Sequence, residues 1–139
     1  MGPLTRLTDW QPRLSAWLRE VNGRPIAPGR HDCCLFGAGA VLAQTGVDIA
    51  APWRGRYTTF SGGRRVLRKS GHADHVALIA ATLPEIHASD AREGDIGLVE
   101  TEAGPAVGVS QGAVLYILTE TGRIGFAELT PATRMFRVG

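Results

Sequence analysis

A chain of 139 residues, 44% hydrophobic and 20% charged, has the length and composition of one globular domain and excludes a disordered tail. Its net charge of +2 hides an asymmetry, because residues 1–75 carry 11 basic and 5 acidic groups while residues 76–139 carry 4 and 8. No apolar run approaches the roughly 18–20 residues that cross a bilayer, and Met1-Gly2-Pro3-Leu4-Thr5-Arg6 lacks the apolar centre of a signal peptide. No membrane anchor is expected, and folding is expected in a cytoplasm.

Trp10, Leu14, Trp17, Leu18 and Val21 recur at helical spacing behind Asp9, a candidate amino-terminal cap. That helix should end at Asn22-Gly23, with Pro25 and Pro28 holding the chain extended. A second helix is expected from Asp32 to Gln44-Thr45-Gly46. Its Gly37-Ala38-Gly39-Ala40 centre favours helix poorly and predicts close approach by another element. Pro52 to Tyr57 reads as a loop, Thr59–Ser70 as a third helix closed by Gly71, and Asp74–Leu83 as a fourth stopped by Pro84.

From Asp95 the pattern changes to strands, expected at Asp95–Glu100, Ala106–Ser110, Val114–Thr119, Arg123–Glu128 and Met135–Val138. Gly104-Pro105, Gln111-Gly112 and Thr121-Gly122 supply the turns. Helices followed by an antiparallel meander predict an α+β fold, with one domain spanning residues 1–139.

The two cysteines, Cys33 and Cys34, are neighbours. Adjacent cysteines reach disulfide geometry only under strain, and two sulfurs fall short of a closed zinc site. No metal or other cofactor is expected. A cysteine in the first turn of a helix meets unpaired N–H groups and the positive end of the helix dipole, both of which favour the thiolate. With Asp32 as cap, Cys33 stands first and faces out of the helix end, and Cys34 turns inward. The other reading is a buried cysteine acting as a small hydrophobe. His31, two residues before Cys33, is the candidate base, whereas His72, His75 and His87 read as surface or capping residues.

Asp32-Cys33-Cys34, Gly94-Asp95-Ile96-Gly97-Leu98-Val99 and Ala106-Val107-Gly108-Val109 follow one another in an order that resembles the NlpC-type, papain-like cell-wall cysteine peptidases. In that family an Asp-Cys-Ser motif opens the catalytic helix and a His-Val-Gly-Ile strand carries the base. The resemblance implies helices packed on a carboxy-terminal antiparallel sheet, with Cys33 in the nucleophile position. Ala106 stands where the family has its histidine. A thiol attacking an amide needs a base to form thiolate and to protonate the leaving amine. Trp10 and Trp17, His31-Asp32-Cys33, Thr45-Gly46-Val47-Asp48, Arg54-Gly55-Arg56-Tyr57 and Arg137-Val138 also resemble a small family encoded in phage tail gene clusters.

Arg54, Arg56, Arg64, Arg65, Arg68 and Lys69 cluster around Trp53, Tyr57 and Phe60. Helical spacing predicts Arg64, Arg65 and Arg68 on an exposed face, with Phe60 and Leu67 inward. Basic residues interleaved with aromatics suit nucleic acid, but without a recognised motif nucleic acid ranks below an acidic protein neighbour or a solvated face. The expected partner-binding set is Arg54, Arg56, Tyr57, Arg64 and Arg65.

These resemblances imply a structural or accessory component of a phage or phage-like tail tip or baseplate. It would be a degenerate peptidase-like domain, assembled in the bacterial host cytoplasm among other tail-tip or hub proteins. The alternatives are an active cell-wall cysteine hydrolase used during genome delivery, with Cys33 as nucleophile, and an assembly chaperone absent from the particle.

Overall fold

The computed structural model describes residues 4–102, 104–131 and 133–139, so Met1, Gly2 and Pro3 of the amino-terminal reading lie outside the described residues. Four helices come first: α1 (Trp10–Val21), α2 (Cys33–Thr45), α3 (Phe60–Lys69) and α4 (His75–Thr82). Six strands follow: β1 (Glu85–Ile86), β2 (Ile96–Thr101), β3 (Gly104–Ser110), β4 (Val114–Leu118), β5 (Ile124–Glu128) and β6 (Arg134–Phe136). The fold is α+β, with the helices packed on an antiparallel sheet.

The helix ends show why these segments fold as they do. Asp32, Thr59 and Asp74 each cap a helix by accepting a backbone N–H two or three residues into it. Gly46 ends α2 at φ 78°, a left-handed cap that glycine adopts without steric cost. Asp9 departs from expectation: it precedes α1, but its side chain makes no capping bond. Pro12 in that first turn has no N–H to satisfy, which removes part of the need for a cap.

The two glycines of α2 serve two different neighbours. Trp17 of α1 lies directly over Gly39, where a Cβ would collide with the indole, and its ring stacks on Phe36 at 5.3 Å. On the other side a Cβ at Gly37 would come within 2.8 Å of Val107 Cγ1 in β3. The predicted close approach is present on both sides, and it sinks α2 between α1 and the sheet. Phe36, Ala40 and Val41 are fully buried there. Phe36 and Val41, the large ones, each contribute about 1.5–3 kcal/mol.

The sheet is not the simple meander expected. Its order is β1-β6-β2-β3-β4-β5, so only β2 to β5 follow in sequence. β6 returns to lie between β2 and β1, the latter a two-residue strand absent from the sequence reading. Gly104-Pro105, expected as a turn, begins β3, with Pro105 opposite Glu100. Ile96, Leu98, Val107, Val109 and Phe136 belong to the core shared with the helices. On the other face Leu115 and Met135 form a small second cluster with Ala88. Leu115 fills the space over the facing pair Gly97 and Gly108, where added Cβ atoms would lie 2.9 and 3.0 Å from it.

Candidate functional site: a carboxylate hub at the thiols

The start of α2 is built by the turn before it. Ala27 and His31 exchange backbone hydrogen bonds of 2.9 and 2.8 Å across Pro28-Gly29-Arg30. Gly29 stands at φ 85° with the Tyr57 carbonyl where a side chain would be, so only glycine fits. Asp32, 3% exposed, then gathers three donors. Its Oδ1 accepts the Leu35 N–H at 3.0 Å, and its Oδ2 accepts the Gly29 N–H at 2.8 Å and the Tyr57 hydroxyl at 2.6 Å.

The 54–57 loop is held in the same unit. Gly55 N–H donates to the Gly29 carbonyl at 2.8 Å. Arg54 grips Asp48 with two bonds of 2.8 and 3.0 Å, holding that carboxyl below its usual range. Gly63 of α3 lies flat against the Tyr57 ring, where a Cβ would come within 2.8 Å. Three motifs separated in sequence, around His31-Asp32-Cys33, Asp48 and Arg54-Gly55-Arg56-Tyr57, thus form one hydrogen-bonded unit.

That unit reverses the expected chemistry of the thiols. The helix start does not favour thiolate here. Burial pushes the Cys33 thiol above its ordinary value, the Asp32 charge pushes it further, and only its own N–H acts in the other direction. Cys34 is pushed up to about 12, again by burial first and Asp32 second. The larger cause is desolvation of the charged form; the smaller is occupancy, because the cap carboxylate already sits at the positive end of the helix and a second anion there meets repulsion.

Among the described residues no histidine hydrogen-bonds either thiol. His31 is 4% exposed, and burial and then the Arg24 charge depress its affinity for a proton. The Nε2 atoms of His31 and His75 are buried without a hydrogen-bond partner. His72 meets the edge of Trp53 at 5.6 Å, and exposed His87 bonds Ser89 at 2.7 Å. The Ala106 position lies in β3, paired with Val99. Among the described residues no group of three or more His, Cys, Asp or Glu is placed to hold a metal, and no helix is long and apolar enough to cross a membrane.

The residues expected to bind a partner divide. Arg54 and Tyr57 are committed to Asp48 and Asp32, while Arg56, Arg64 and Arg65 are exposed. Trp53, one of the aromatics around which the cations cluster in sequence, is 8% exposed, and its indole N–H donates to Ser70 Oγ at 2.8 Å. Phe60, expected inside, is 59% exposed. A helical side chain covers the turn before its own Cα, and Phe60 is the first residue of α3, so it projects past the packed stripe of Gly63 and Leu67. The Tyr57 ring fills the space beside Gly63 in its place.

One site escaped the sequence reading. Asp95, 1% exposed, accepts the Arg92 N–H at 2.9 Å, the Val138 N–H at 3.0 Å and the Arg6 guanidinium at 3.1 Å. Arg6 also donates to Gln44 Oε1 at 2.9 Å and to the Glu93 carbonyl at 2.8 Å. Gln44 Nε2 in turn donates to the Gly94 carbonyl at 2.8 Å. This clasp joins the segment before α1, the end of α2, the start of β2 and the segment after β6.

A helix-on-sheet α+β domain with two buried aspartate hubs is the class that this geometry defines. The chain belongs to the family described as a domain of unknown function, DUF6950, whose model matches residues 5–138. No curated protein and no solved structure matches it.

Proposed function

We propose that this protein is a non-enzymatic structural or accessory component of a phage or phage-like tail tip, built on a degenerate papain-like domain. The observation that supports the loss of chemistry is the setting of the thiols: the Asp32 carboxylate caps the helix start beside them, burial and that charge both push the thiols up, and among the described residues no imidazole bonds them. The papain-like reading is supported by a cysteine at the start of a buried helix that packs on an antiparallel strand through Gly37 and Val107. The tail reading rests on the motif resemblance, and its partners would be neighbouring tail-tip or hub proteins in the virion tail.

The hydrolase reading keeps one favouring observation, the buried and unpartnered Nε2 of His31, two residues from Cys33. Two measurements separate the readings. Iodoacetamide at pH 7 should alkylate Cys33 no faster than an unactivated thiol, and purified cell-wall peptide should stay intact on incubation with the full chain. Phage carrying Cys33→Ser should then plate as efficiently as wild type. Cys33→Ser particles that assemble but fail to infect would establish the hydrolase instead, and particles from which the chain is missing would remove the structural role.

A further inference from the structure

Between Asp48 and Asp74 the chain has six cations and no acidic residue. Arg54 is neutralised by Asp48 at 2.8 Å, and five remain. Four of them, Arg64, Arg65, Arg68 and Lys69, are exposed on α3, and together with Ser61 they line an open surface depression of about 480 Å³. None of the four forms an ion pair with another described residue. The opposite side of α3 is anchored through Gly63 and Leu67, so the cations stand on a fixed support.

The composition of this face decides what it fits. A protein interface needs an apolar, desolvated centre with aromatic anchors, and lysine is depleted there. Of the three aromatic residues near these cations, Trp53 is buried against Ser70 and Tyr57 is bonded to Asp32, and Phe60 is a single exposed ring at the start of α3 that does not line the depression. What lines the depression is single-sign charge with a hydroxyl. That chemistry matches phosphate groups, which need cations and donors but no apolar centre. Arg64 and Arg68 are one helical turn apart, about 6 Å along the axis, near the rise of about 6.8 Å over two phosphates of one duplex strand.

We infer that the α3 face binds the sugar-phosphate backbone of nucleic acid without reading sequence. The inference is independent of the tail assignment and of the thiols. Its test is fluorescence anisotropy of a labelled 20-base-pair duplex titrated with the full chain across a salt series. Four phosphate contacts predict a slope of log K on log salt between about −3 and −4, which is roughly a 100-fold loss of affinity between 50 and 200 mM.

R64Q/R68Q should make that slope shallower by about two and weaken binding at 50 mM more than tenfold. R64K/R68K, which keeps the charge, should bind within a few-fold of wild type, and so should R19Q/R123Q, which removes two exposed cations elsewhere. Absence of binding at 50 mM salt would overturn the inference, as would R64Q/R68Q binding like wild type. Displacement of the duplex by polyglutamate as effectively as by unlabelled DNA would overturn it too, and would assign the face to an acidic protein.

Discussion

Two buried aspartates organise this molecule, and they are satisfied in opposite ways. Asp95 accepts two backbone N–H groups and the guanidinium of Arg6, so its charge is paired at 3.1 Å. Asp32 accepts two backbone N–H groups and a phenol, all neutral donors, and no cation among the described residues bonds to it. A paired charge is local in its effect. A charge held by neutral dipoles still acts on its neighbours, and those neighbours are Cys33 and Cys34. Added to burial, which is the larger influence, that charge is why a helix start, which ordinarily activates a thiol, here suppresses one.

The comparison predicts the largest loss at Asp95. Asp95→Ala leaves Arg6 half-buried without its partner and orphans the Val138 N–H, a change of the kind that costs about 3–5 kcal/mol. A urea titration monitored by tryptophan fluorescence should show the midpoint fall accordingly. A shift no larger than that of an exposed control such as Glu120→Ala would mean that the clasp is held by Gln44 and Gly94 alone.

Asp32→Asn should cost less, about 1–3 kcal/mol, because an amide keeps the Leu35 bond through its oxygen and places its NH2, which accepts from neither Gly29 nor Tyr57, where Oδ2 stood. It should also do what no change at Asp95 does, namely speed alkylation of Cys33 at pH 8. Burial is the larger influence on that thiol, so a rise of a few-fold is expected rather than full activation. An unchanged rate in a folded Asp32→Asn protein would leave burial as the whole cause.

The smallest effect is a pH slope. The unfolded Cys34 thiol ionises near 9, whereas the folded one keeps its proton up to about 12. Below pH 9 the two states bind the same proton and stability is intact. Above it the unfolded chain binds fewer protons, so stability falls with rising pH by up to about 1.4 kcal/mol per unit for this one group. Cys34→Ala should flatten that slope, measured as the urea midpoint at pH 8, 9 and 10. An identical slope in the variant would transfer the effect to Cys33 and Tyr57, whose thiol and hydroxyl are also pushed up by burial and by Asp32.

Local signals were legible in the sequence and distant ones were not. α2 could be read from Asp32 and Gly46 because a cap and a left-handed stop are written within a few residues of the helix they bound. The need for small residues at 37 and 39 was readable too, but not that two different neighbours, Val107 and Trp17, require them. β1 has two residues and exists only because β6 pairs with it, so no periodicity marks it. The Asp95 clasp joins residues up to 89 positions apart, and nothing near Arg6 announces its partner. At the thiols the helix-dipole argument was sound as far as it went; it lacked the knowledge that Asp32 would be held by neutral donors. Phe60 was misread because periodicity assigns a face but does not say where the packed surface ends.

The place of β6 bears on how the chain is made. Glu85 and Ile86 pair with Phe136 and Met135, and Ile96 to Leu98 pair with the same strand from the other side. On the ribosome the helices and β2 to β5 emerge before β6 exists. Until it does, the inner edge of β2 is open and Val138 cannot reach Asp95. Synthesis proceeds at about 5–20 residues per second, so the chain spends seconds with that strand edge unpaired. An open edge is a template for pairing with other chains. Closure of this sheet therefore waits for the last of its strands in chain order, and crowded polysomes are where misassociation of this protein should be sought.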